Sequence, residues 1–313
     1  MIVRERPSGL RLFLSLHGSI LPQILPALIV NIVIATLVTV SHGDLFRLKI
    51  TLTAIPFTLI GLPLAIFLGF RNSAAYDRFW EGRKLWGEIV LRSRSLARQC
   101  LGLIRYPAPA SAADGLLDLR VRMIYRAIAF AQATRDLLRG DAPDAATAAL
   151  LLPGEAAQLA QASNKPHCLM LAMGMDLGQC VKEGRLDPCL AASIDATLSA
   201  MTAAGASCER IRNTPIPFSY TLLLHRTAYI YCFLLPFGLV DTIGFMTPLV
   251  CAVVAYTFFG LDALGDEIEE PFGHDMNDLP LDAICRAIEI DLREALHDPA
   301  TPPPLAPVDF RLS

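Results

Sequence analysis

The sequence predicts an all-α membrane protein with four transmembrane helices and a large cytosolic helical region, on three observations. Four apolar runs, Ile20–Val40, Ile50–Phe70, Phe218–Val240 and Ile243–Leu261, are long enough to cross a hydrocarbon core of about 30 Å at about 1.5 Å per residue. Hydrophobic residues fill 53% of the 313 positions, too many for an ordinary soluble domain, while 18% charged residues are too many for spans alone. Between the two pairs of runs the chain keeps helical periodicity amid charges, as a water-facing region does.

The first run follows Arg4, Arg6 and Arg11, a layout that superficially resembles a signal peptide. It is longer than the 7–15 residues of a signal core, and a second apolar run follows closely, so it is read as the first span. Pro22 and Pro26 each lack a backbone donor and bend or delay its entry. Asn31, strongly polar in mid-run, is expected to hydrogen-bond a neighbouring helix rather than contact an ion. The link Ser41–Lys49 is short and makes the first two spans antiparallel neighbours. Arg47 and Lys49 blur the positive-inside count, but the N-terminal arginines and the Arg-rich stretch after Phe70 outweigh them and place both termini in the cytoplasm.

In the second span Leu62, Ile66 and Phe70 recur every fourth residue and share a face. The helical pattern then persists past Trp86 to about Cys100, with Arg78, Arg83, Arg92, Arg94 and Arg98 offset by Asp77, Glu81 and Glu88. Such mixed charge is either a solvated or inter-subunit face stitched by pairs such as Glu88 with Arg92, or the wall of an aqueous vestibule. The sequence leaves both open.

Tyr106-Pro107-Ala108-Pro109-Ala110-Ser111 breaks the helix. Leu116–Arg139 reads as an amphipathic helix, Ala145–Ala162 as a weaker one, Leu169–Val181 as apolar but too short to span, and Asp187–Arg212 as a further helix. Pro215 and Pro217 stop that helix and force an extended corner into the third span. His225 and Arg226 lie on the first turns of that span, as a functional ionisable pair or as a snorkelling arginine beside a satisfied histidine. Asp241-Thr242 begins a very short outer turn before the fourth span, Ala283–Leu296 reads as a surface helix, and the proline-rich tail Pro299–Ser313 is expected to be disordered or laid along a neighbour. The domain boundaries that follow are 1–70 for the N-terminal segment with spans one and two, 71–217 cytosolic, 218–262 for spans three and four, and 263–313 cytosolic.

A net charge of −3 argues against a nucleic-acid partner. Eight cysteines without a Cys-x-x-Cys pair fit reduced thiols better than zinc ligands or a disulfide framework. Asp262, Asp266 and Glu269 share a helix face just past the fourth span, which raises the alternative of a membrane prenyl- or phosphatidyl-transferase holding magnesium on a diphosphate; no comparable acidic motif stands on another span.

Three segments carry a more specific reading. Gly69-Phe70-Arg71-Asn72 with Tyr76 and Arg78-Phe79-Trp80-Glu81-Gly82-Arg83-Lys84-x-Trp86-Gly87 is the first. Asn213-Thr214-Pro215-Ile216-Pro217-Phe218-Ser219-Tyr220 with Leu224-His225-Arg226 is the second, and Asp262 to Asp282, with Glu269-Glu270-Pro271-Phe272-Gly273 and Asn277-Asp278-Leu279-Pro280, is the third. Together they resemble the bestrophin family of ion channels, close to its prokaryotic members, over nearly the whole chain. The resemblance implies no enzyme but a homopentamer with a central pore, four spans per protomer, in a bacterial inner membrane, with membrane lipid and permeating monovalent ions as its other partners. It places the pore neck at Leu62, Ile66 and Phe70, a second cytosolic aperture at Cys189 or Leu190, and family motif positions at Arg71, Asn72, Arg78, Trp80, Glu81, Pro215, Pro217, His225, Arg226, Pro271, Phe272, Gly273 and Asp278.

Animal bestrophins are calcium-activated anion channels whose calcium is held partly by an acidic run after the Pro-Phe-Gly triplet. Here that run is His274-Asp275-Met276-Asn277-Asp278, short of the six to eight oxygens calcium prefers, so no calcium requirement and no other metal or cofactor is expected. An apolar neck does not choose the sign of an ion, and the net charge of −3 leans toward monovalent cations, with chloride and other anions as the alternative.

Overall fold

Prolines set the starts of the membrane helices. Pro22 and Pro248 sit in the first turns of helices whose leading N–H groups have no intrahelical acceptor anyway, and Pro217 precedes another. The computed structural model describes residues 1–3, 9, 15–16, 18–41, 44–45, 48–49, 53–142 and 145–313. Arg4, Arg6, Arg11, Arg47 and the expected helix start at Ile50 lie outside them.

Among the described residues ten α-helices carry the architecture: α1 Leu21–Val40, α2 Ala54–Leu103, α3 Leu119–Arg139, α4 Ala145–Ala149, α5 Pro153–Gln161, α6 Lys165–Lys182, α7 Pro188–Asn213, α8 Phe218–Ile243, α9 Thr247–Glu269 and α10 Leu281–Ala295. Among the described residues extended pairing is confined to a two-residue antiparallel ribbon, Asp44–Leu45 with Leu48–Lys49, and isolated bridges at the termini. The chain divides into two compact units, Arg4–Phe79 with Pro215–Pro271, and Met1–Val3 with Trp80–Thr214 and Phe272–Ser313.

The first unit holds α1, the leading part of α2, α8 and α9; α1, α2 and the stretch Phe218–Glu269, which contains α8 and α9, are long and apolar enough to span. A 3-10 turn at Gly244–Met246, opened by Gly244 at φ +53°, separates α8 from α9. Between the helices, Ile24 and Leu28 meet Cys232, Ala255 and Phe259, and Leu64 and Leu68 meet Leu224 and Ala228. Asn31 is fully buried and its Nδ2 donates to the Cys232 carbonyl at 2.8 Å, which gives its amide donor a partner inside the bilayer. Gly238 admits the Phe57 ring, since a Cβ there would come within 2.6 Å of Phe57 Cδ2.

α7 also has the length and composition of a span. Its apolar character comes largely from seven alanines, it carries Glu209, Arg210 and Arg212, and it belongs to the second unit.

The second unit is built around α3. The expected amphipathic helix over Leu116–Arg139 is instead buried along most of its length, and its charges are buried with partners. Arg126 Nη1 donates to Asp176 at 2.6 Å, Arg122 Nε to the same carboxylate at 2.8 Å, and Arg139 and Arg135 both reach Asp282. Pro153 splits the weaker helix into α4 and α5. The C-terminal tail is folded back within its own chain: Val3 N–H donates to the Phe310 carbonyl at 2.8 Å, Leu312 N–H to Met1 at 2.9 Å, and Ala283 N–H to Ser313 at 2.8 Å.

Candidate functional site

Asp262, Asp266 and Glu269 fall on one face of α9, and Arg71 of α2 fills the space between them. Arg71 is 1% exposed. Its Nη1 donates to Asp262 Oδ1 at 2.9 Å and to the Asp262 carbonyl at 3.2 Å, its Nη2 donates to Asp266 Oδ1, and Glu269 Oε2 lies 3.7 Å away. A guanidinium is weakly hydrated and forked, which suits it to such a site better than an ammonium.

Two of the three acids are held a second time. His225 Nδ1 lies 2.6 Å from Asp262 Oδ2, and Glu269 Oε1 accepts from the Ile216 N–H at 2.9 Å. The Glu269 carbonyl accepts from Arg78 Nε at 3.1 Å, and Asn72 Nδ2 donates to the Leu261 carbonyl at 3.0 Å. Pro215 and Pro217 flank Ile216 and fix the extended corner that aims its N–H. Gly265 is required by close approach, because a Cβ there would stand 2.5 Å from Asn72 Oδ1 and 3.3 Å from Arg71 Cζ. Tyr229 covers the cluster with its ring 4.3 Å from that of His225 and 4.4 Å from that of Phe259.

This arrangement answers the transferase alternative. The three carboxylates do share a face, as their spacing implies, but Arg71 takes the place a magnesium ion would need. Among the described residues no group of three or more His, Cys, Asp or Glu is arranged to hold a metal. The cluster is a lock that pins α2 to α9.

Four family-motif positions, Arg71, Asn72, Arg78 and His225, thus meet in one centre. Arg226 is exposed, next to its satisfied neighbour. Trp80 and Glu81 lie further along α2, where Glu81 accepts from Arg210 at 2.6 Å and Trp80 is 47% exposed. Pro271 ends the segment after α9, and Phe272 is buried. Gly273 lies against Asp278, whose Oδ2 accepts from the Asp275 N–H at 2.8 Å. The acidic partners of Arg71 were visible in the sequence only as a spacing, and Tyr229 gave no signal.

One turn before the lock, Leu62, Ile66 and Phe70 are 67%, 46% and 63% exposed, whereas Leu64 and Leu68 on the opposite face are buried against α8. These three expected neck positions therefore face away from the spans of their own chain. Cys189 and Leu190 are exposed in the first turn of α7, which Asp187 caps by accepting from the Cys189 N–H at 2.8 Å.

The family profile described as Bacterial/Fungal Bestrophin protein matches residues 1–294. A voltage-dependent anion channel-forming protein of Mesorhizobium japonicum is 43% identical over 99% of this chain and 96% of its own length. One of Escherichia coli K12 is 42% identical over 98% of each. The crystal structure of a bacterial bestrophin homologue from Klebsiella pneumoniae superposes with a TM-score of 0.80 at 36% identity, covering 88% of this chain and 98% of that one.

Proposed function

The chain belongs to the bestrophin family, and on that premise we propose that it is an anion-conducting channel of the membrane, gated at an apolar neck. The observation that carries the proposal is its 42–43% identity, across almost its full length, to proteins named as voltage-dependent anion channel-forming. Those relatives are channels and not enzymes, and this chain is likewise an integral membrane protein rather than an enzyme.

The expected preference for cations gives way here. A net charge of −3 is a sum over the whole chain, and charges further from the ion path than a Debye length of about 8 Å are screened from a passing ion. The apolar neck is neutral, and the names of the relatives support anions.

In the proposed assembly five copies of α2 surround one axis, and Leu62, Ile66 and Phe70 form the narrowest passage. Such a ring stops ions when it excludes water and conducts when it wets. The lock at Arg71 begins one residue after Phe70 and fixes the azimuth of α2 against α8 and α9, so the ring stands on a rigid element. Cys189 and Leu190 form the second aperture, residues 71–217 and 263–313 lie in the cytoplasm with both termini, and the membrane is the bacterial inner membrane.

Reversal potentials in planar bilayers under KCl, NaCl and sodium gluconate gradients test the proposal. The reversal potential is expected to follow chloride and to collapse toward zero when gluconate replaces it. A potential that follows sodium or potassium, or vesicles that stay ion-tight, overturns it. Mass measurement of the detergent-solubilised protein tests the pentamer, and a conducting monomer overturns it.

A further inference from the structure

The charged continuation of α2 was open to two readings, a stitched face or the wall of a vestibule, and the ion pairs now sort its residues. Glu81 is taken by Arg210 at 2.6 Å, Glu88 by Arg92 at 2.6 Å, and Arg94 by Asp291 at 2.7 Å. Arg78 is held by the Glu269 carbonyl. Lys84 and Arg98 are exposed and have no ion-pair partner among the described residues; Lys84 Nζ rests 5.9 Å from the centre of the Trp80 ring.

Their direction follows from the helix. Leu64, Leu68, Ala75, Trp86, Ile89 and Leu96 are all buried, and their spacings keep a period near 3.6 residues, so α2 holds one buried stripe along its length. A face opposite that stripe can therefore be followed through the helix. Lys84 is eighteen residues after Ile66, five turns at 3.6 residues each, and so shares its azimuth. Trp80 and Arg98 stand at eighteen and thirty-six residues from Leu62 and share that of Leu62. Asp77 also falls on this face, between the azimuths of Ile66 and Phe70, and is exposed.

We propose that Lys84 and Arg98 are the specificity-determining residues that select anions, because they continue, on the same face of α2, the line of Leu62 and Ile66 and are the cations there not neutralised by an ion pair. This rests on the reading of Leu62, Ile66 and Phe70 as the neck. The neck supplies a barrier without sign. Two rings of cations against one ring of Asp77 carboxylates raise the local anion concentration at its aqueous side. Selectivity built this way weakens with salt, as the Debye length shrinks from about 10 Å at 0.1 M to about 3 Å at 1 M.

The test compares chloride-to-potassium permeability ratios of the purified full chain in bilayers for wild type, K84E/R98E, K84R and D77N. The double variant is expected to lose about tenfold in that ratio at 0.1 M KCl and less at 1 M, K84R to keep the wild-type ratio, and D77N to raise it. A K84E/R98E ratio within twofold of a chloride-selective wild type overturns the proposal and leaves the channel reading standing, whereas a wild type that passes no chloride overturns that reading instead. Should the double variant not assemble, Lys84→Cys and Arg98→Cys are exposed to an anionic and a cationic thiol reagent. The anionic adduct is expected to lower chloride current more than the cationic one, and equal effects of the two overturn the proposal.

Discussion

Replacing Arg71 by methionine keeps a long unbranched side chain in place and removes only the charge and its donors. The Arg71 side chain has no exposure and that of Asp262 has 4%, so the change leaves a carboxylate buried without its cation. Breaking a buried pair from one side costs about 3–5 kcal/mol. Asp266, half exposed, returns to water and adds little, and His225 stays on Asp262 Oδ2, so the lower end of that range, about 3 kcal/mol, is expected. The Arg71→Met/Asp262→Asn double variant removes the stranded charge while the asparagine can still meet His225. It should recover about 2 kcal/mol, a coupling well outside the scatter of independent sites. The assay is reversible unfolding in mixed micelles, followed by the fluorescence of Trp80 and of Trp86, which is fully buried on the same helix. A single variant within about 0.5 kcal/mol of wild type, or a double variant that loses the sum of the two single losses, refutes the lock.

Triple replacement of Leu62, Ile66 and Phe70 by alanine should raise conductance or alter selectivity, and unchanged single-channel behaviour would remove these residues from the neck. Current should persist in a calcium chelator; flux that vanishes with chelator and returns with calcium would place a calcium site the sequence does not foresee. Gly238→Ala drives a methyl group against Phe57 and should cost about 1–3 kcal/mol by overpacking, relieved when Phe57 is changed to leucine. Burial pushes the Asp282 carboxyl up, but the hydrogen bonds and charges of Arg139 and Arg135 outweigh it and hold its pKa below the ordinary value. The folded state thus binds this proton more weakly than the unfolded one, so the contribution is complete above about pH 4 and lost as pH falls through the folded value. Asp282→Asn should lower stability at neutral pH and flatten its fall below pH 4, and an unchanged acid slope would show that the two arginines do not act through this carboxylate.

The spans were legible because a bilayer demands long apolar runs, and α2 was legible past its charges because its period did not change. Partners were harder to read. Arg71 and Asp262 meet across 191 positions, and a spacing of four and three residues serves an arginine as well as a magnesium ion. α3 reads as an amphipathic helix because its arginines recur among apolar residues, yet the Arg126 and Arg139 side chains are buried, which periodicity cannot reveal when carboxylates from distant helices neutralise them. The tail carries no side-chain pattern because its attachment to Met1 and Val3 runs through backbone hydrogen bonds, to which sequence patterns are blind.

The same blindness bears on the leaning toward cations. A net charge counts Asp262, Asp266 and Glu269 with the same weight as Lys84 and Arg98. In the fold those three acids surround one buried arginine, while Lys84 and Arg98 stand in water with no carboxylate of their own among the described residues. Composition therefore leaned toward cations although two exposed cations of α2, Lys84 and Arg98, have no ion-pair partner among the described residues. Local pairing sets the field that an ion at the neck would meet.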